Sequence, residues 1–100
     1  MQFPFLSTVE NSWDSISKPH ALTLRQQVVS GKSSGQLTIA IETNEARAEI
    51  KASEALKALD ISVSRFKDAR VIASGPCNSD ADVESRLRKL VIDLTTSPFA

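Results

Sequence analysis

From Gln36 to Ala52 the chain reads QLTIAIETNEARAEIKA, and this stretch constrains the fold more than any other. Leu37, Ile39 and Ile41 alternate with Gln36, Thr38, Ala40 and Glu42, and beyond Asn44 and Glu45 the residues Ala46, Ala48, Ile50 and Ala52 alternate with Arg47, Glu49 and Lys51. A period of two residues places every second side chain on the same face of a strand, so two such runs joined by a short polar break predict a β-hairpin with one buried and one wet face. The buried side is narrow on the alanine strand, which lets a helix approach closely. The terminal helix, through Leu87, Leu90 and Leu94, is the one expected there.

The segments on either side supply the rest of an α+β domain. After an apolar lead of Phe3, Pro4, Phe5 and Leu6, the spacing of Val9, Trp13 and Ile16 predicts a helix over 7–18, with Ser7 and Glu10 as a capping box and Pro19 as its stop. The serines on its outer face are poor helix formers, so Trp13 is expected to anchor it in the core. From His20 to Val29, Leu22, Leu24 and Val28 keep strand parity. The loop Gly31 to Gly35, GKSSG, then leads into the hairpin, making a three-stranded antiparallel meander. That loop lacks the upstream glycine and following helix of a phosphate-binding loop. Near the other terminus Asn78 or Ser79 caps a helix whose first turns hold Asp80, Asp82 and Glu84. Arg86, Arg88 and Lys89 follow, and Val83, Leu87, Leu90, Val91 and Leu94 form its apolar stripe up to Thr95, Thr96 and Pro98.

Two readings stay open between these parts. Ser53 is placed to cap a short helix, SEALKALD. Beyond it, Ile61 and Val63 alternate with Ser62 and Ser64 as a second hairpin returning through Ala69 to Ala73. Alternatively, Leu56, Leu59, Val63 and Phe66 follow a helical period. On the helical reading, ALKALDISVSRFKDARV resembles the core of a helix-turn-helix DNA-binding unit. Ala55, Leu59, Ile61, Phe66 and Ala69 fill its apolar positions, Asp60 its turn and Ser62 the start of its recognition helix. The resemblance implies that Ser64, Arg65, Lys67 and Arg70 face the major groove. On the hairpin reading, the order helix, three strands, short helix, two strands, helix resembles that of small secretion chaperones. That resemblance implies a dimer holding an unfolded client.

Composition narrows the function classes. Lys plus Arg and Asp plus Glu are 12 each, so the chain has no net charge with which to collect on nucleic acid or an anionic membrane. Tyrosine is absent, which removes the usual material of a base-stacking platform. With 100 residues the chain is expected to be one domain over residues 1–100 around an aliphatic core. The single cysteine, Cys77, rules out an internal disulfide and favours a reducing compartment. No run of apolar residues reaches the length of a membrane span and no basic leader opens the sequence, which together predict a cytoplasmic protein. One histidine and one cysteine do not make a zinc site, and Asp80, Asp82 and Glu84 lack the spacing of a calcium loop. No metal or cofactor is expected. A Cys77 nucleophile paired with His20, its thiol activated by a helix N-terminus, is the enzyme alternative.

These readings converge on an antiparallel sheet with the N-terminal and C-terminal helices on one face. The expected function is that of a non-catalytic protein-interaction or assembly module, homodimeric or chaperone-like. Its surface is the wet face of the hairpin, with Thr38, Ala40, Arg47, Glu49 and Lys51, and its partner is another protein or a second copy.

Overall fold

The structure, a computed structural model, describes residues 3–20, 22–24, 26–31, 34–65 and 68–95. Helix α1, Pro4–Ser17, comes first and runs into a short 3-10 turn, Lys18–His20. Five strands follow: β1, Gln26–Ser30; β2, Gln36–Glu42; β3, Ala46–Ser53; β4, Ala58–Arg65; and β5, Asp68–Ala73. Helix α2, Asp80–Thr95, completes the order. The strands form one antiparallel sheet in chain order, each paired with its sequence neighbour. The architecture is thus α+β, with both helices on one face of a five-stranded meander.

Register explains why the ambiguous middle of the chain is strand. Ala48 lies opposite Val63, Ile50 opposite Ile61 and Ala52 opposite Leu59, so the three buried apolar residues of β4 each meet one of β3 on the covered face. A helix over the same residues would leave Ile50 and Ala52 without these neighbours, and cross-strand burial outweighs local helix propensity. The second hairpin is therefore present, and the helical reading of residues 55–72 is not. The expected short helix after Ser53 is absent as well, which breaks the element order that resembled a secretion chaperone. The Ser53 hydroxyl does accept the N–H of Leu56 at 3.3 Å, as a cap would, but the chain turns back at once because Lys57 adopts φ +52°. Leu56 is left exposed on that turn.

The helices also depart from expectation in detail. α1 begins three residues before Ser7, because Pro4 is already fixed near helical φ and its missing N–H costs nothing in the first turn. Ser7 instead donates its N–H to the Phe3 carbonyl at 2.9 Å, so it is inside the helix rather than at its cap. The strand expected from His20 starts only at Gln26. Thr23 and Leu24 both donate to the His20 carbonyl, in a turn that buries Leu24 and exposes Leu22. α2 begins as its sequence suggests. The Ser79 hydroxyl accepts the Asp82 N–H at 3.2 Å, and the Asp82 carboxylate reaches back to the Asn78 N–H at 3.2 Å. Thr96 and Pro98, expected to end it, lie outside the described residues.

One largely aliphatic core joins both helices to β2, β3 and β4. Leu6, Val9 and Trp13 from α1 and Val83, Leu87, Leu90, Val91 and Leu94 from α2 close over Leu37, Ile39, Ile50, Leu59 and Ile61. α1 and α2 pack on each other, with α1 against β3 and α2 against β4 and β5. The alanine-lined strand β3 therefore receives α1 rather than the terminal helix.

Candidate functional site

Because both helices share one side, the opposite face of the sheet has nothing packed on it among the described residues. The alternation of β2, β3 and β4 puts Thr38 and Ala40, then Arg47, Glu49 and Lys51, then Asp60, Ser62 and Ser64 on this open face. Pairing links them in rows: Val28, Ala40, Glu49, Ser62 and Val71 form one row across all five strands, and Glu42, Arg47, Ser64 and Ala69 lie in the next. The five residues expected to form a surface thus lie together. Thr38 is half-buried at one end, whereas Ala40 and Arg47 are exposed near the other.

Small side chains shape the middle of this face. Ala40, Ser62 and Ser64 form the floor of an open hollow of about 680 Å³, and Val28, Arg47 and Glu49 line it. The charges around it are paired within the sheet: Arg47 Nε lies 3.1 Å from Glu42 Oε1, and Lys51 Nζ lies 3.1 Å from Glu49 Oε1. Glu42, Glu49 and Asp60 face Arg47 and Lys51, so the described part of the face carries three acidic groups against two basic ones. Such a face offers no attractive field to a phosphate backbone. At its rim Val28 and Val71 are 63% and 68% exposed, large apolar groups at the two ends of the same row.

Of the four residues assigned to a recognition helix, the three that are described are not brought together. Ser64 is on the open face, whereas Arg65 and Arg70 sit on the helix side. There Arg65 Nη1 donates to Asp93 Oδ2 of α2 at 2.9 Å and its Nη2 donates to the Asp93 carbonyl, while Arg70 Nη1 lies 3.7 Å from Asp93 Oδ1. Lys67 and Phe66 lie outside the described residues. These arginines lock α2 to the sheet and are not free for a groove.

His20 and Cys77 are also apart. Cys77 borders a hollow with Phe5 and Thr8 at the start of α1, and His20 follows the end of that helix. A helix of 14 residues spans about 21 Å, so the two cannot share a proton. Burial pushes the Cys77 thiol above its ordinary value, outweighing the nearby Arg86 charge, so the thiol is not activated as the position before α2 suggested. Among the described residues no group of three His, Cys, Asp or Glu side chains is arranged to hold a metal ion.

Two features escaped the sequence reading. Glu54, in the β3–β4 turn, accepts the N–H groups of Phe5 at 2.9 Å and Leu6 at 3.2 Å, so a residue 49 positions away caps α1. Lys57 pairs with the same carboxylate and sits over the Phe5 ring. Arg86 donates to the carbonyls of Leu59 at 3.0 Å, Gly75 at 2.8 Å and Pro76 at 2.9 Å, clasping α2 to the chain after β5. Neither has a local signal, because each joins residues whose proximity depends on the completed meander.

Fold and face together define a class: a small α+β domain whose meander carries its helices on one side and presents the other. No protein-family model matches the chain, and no curated protein or solved structure matches it. No helix among the described residues is long and apolar enough to cross a membrane.

Proposed function

We propose that this chain is a non-catalytic protein-interaction module that takes a polypeptide partner on the open face of its sheet. The observation that carries the reading is the uncovered face itself, floored by Ala40, Ser62 and Ser64 and rimmed by Val28 and Val71. Small floor residues let a partner's backbone approach closely, and apolar groups at the two edges supply the burial that a binding surface needs. The partner is a protein rather than a nucleic acid because the charges are mixed and already paired, which suits side chains of both signs and repels a polyanion. The proposal includes a cytoplasmic setting, supported by a lone, half-buried thiol that suits a reducing compartment.

The test is photo-crosslinking in the producing cell from a reactive group at Ala40, compared with one at Ile92 on the outer surface of α2. A discrete protein adduct from position 40, absent from position 92 and lost when Ser62→Arg fills the hollow, is the expected result. Equal labelling from both positions, or no protein adduct from position 40, would overturn the reading.

A further inference from the structure

The two edges of the sheet are built differently. β5 carries Asp68 and Arg70, and its register against β4 is broken between Ile61 and Ser62. Charge and irregularity are the devices by which edge strands avoid pairing with other strands. β1 has neither: its sequence is QQVVS, and it pairs without a break from Gln26 opposite Glu42 to Ser30 opposite Thr38. It also exposes Val28 by 63% and its neighbour Val29 by 48%.

Successive residues of a strand point to opposite faces, so these two valines sit on opposite sides of one edge. A partner lying on the open face would cover Val28 and leave Val29. On the helix side Val29 lies opposite Ile39, beyond the buried core, and stays 48% exposed. A strand added alongside β1 covers both. We propose that this strand is the β1 of a second copy, paired antiparallel about a two-fold axis at Val28.

Charge and closure both favour the second copy. β1 has no charged residue, so setting it against itself brings no like charges opposite each other. Head-to-tail addition would instead require β5, where the bulge and charges resist a new strand, so growth stops at a closed dimer. Five residues give a seam of about 17 Å, shorter than a standard interface, so the dimer is expected to be weak and concentration-dependent. The two-fold keeps both open faces on the same side of one continuous sheet. It thereby joins the two hollows at their Val28 rims, a consequence that rests on the binding role proposed for that face.

Sedimentation velocity from about 1 µM to about 1 mM tests the pairing. The mass should rise from one chain to two and no further. Val29→Lys should stay monomeric to at least about tenfold higher concentration, and Leu56→Lys, on the exposed β3–β4 turn, should behave as the parent does. In a Cys77→Ser background, Val28→Cys should oxidise to a covalent dimer, whereas Val71→Cys at the other edge should not. A monomer throughout, open-ended growth, or a dimer indifferent to Val29→Lys would overturn the proposal. Crosslinking from Ala40 in the Val29→Lys chain separates the two ideas: a retained adduct leaves the face reading standing without the dimer.

Discussion

Single side chains hold the two ends of this molecule to its sheet. Glu54 stands in for the cap that α1 lacks locally, since Phe3 at that position makes no side-chain hydrogen bond. Glu54→Ala should lower stability by about 1 kcal/mol, the usual worth of an N-cap, measured by urea denaturation. Burial alone would raise the Glu54 pKa, but the hydrogen bond and charge of Lys57, with the N–H groups of Leu6 and Phe5, hold it below its ordinary value of 4.5. A pKa depressed by folding means that the stabilisation is present above pH 4.5 and is lost as pH falls through the lower folded value. Glu54→Gln should therefore lose less stability than the parent between pH 4.5 and pH values below that folded pKa. Arg86 is the second such residue. Its planar guanidinium reaches four carbonyls, of Leu59 on β4 and of Ser74, Gly75 and Pro76 after β5, a geometry an ammonium cannot match. Arg86→Lys should cost roughly 2 kcal/mol in the same measurement.

At the scale of elements, what was legible in the sequence followed how locally each signal is written. The β2–β3 hairpin and the stripe of α2 are visible because burial on one face imposes a period that neighbouring residues repeat. The β3–β4 turn was misread because Ser53 and Leu56 carry a real local cap signal, and only the register of Leu59 and Ile61 against Ala52 and Ile50 overrides it. The open face was legible on β2 and β3, but Ser62, Ser64 and Val71 join it only once β4 and β5 are known to be strands. The same register turned Arg65 and Arg70 from a recognition surface into struts. Arg65 and Asp93 are 20% and 16% exposed in their side chains, so their pair is stronger than a surface ion pair. A double-mutant cycle on Arg65→Ala and Asp93→Ala should return a coupling of about 1–2 kcal/mol. A value near zero would mean that this pair adds nothing to the hold on α2, leaving it to the apolar stripe and the Arg86 contacts.

Across the whole molecule, the layering sets a gradient of stability that runs along the sheet. β3 and β4 are paired on both sides and share their covered face with α1 and α2, so their amides open only when the core of Ile50, Leu59, Ile61 and Leu87 comes apart. β1 is paired on one side only, to β2, and is the strand farthest from the helices along the sheet order. Local opening at such an edge exposes little apolar surface and costs less than global unfolding. Hydrogen exchange should therefore find β1 protected several-fold less than β3 and β4 in dilute solution. The same property makes the edge informative about assembly. If two copies join through β1, its outward amides gain partners, and its protection should rise with protein concentration while that of β3 and β4, already limited by global unfolding, changes less. A uniform change across all strands would point to general stabilisation rather than a seam at Val28. Protection that rises instead over β2, β3 and β4 together would place the second copy on the open face. The exchange profile thus distinguishes pairing along the edge from stacking of the two faces.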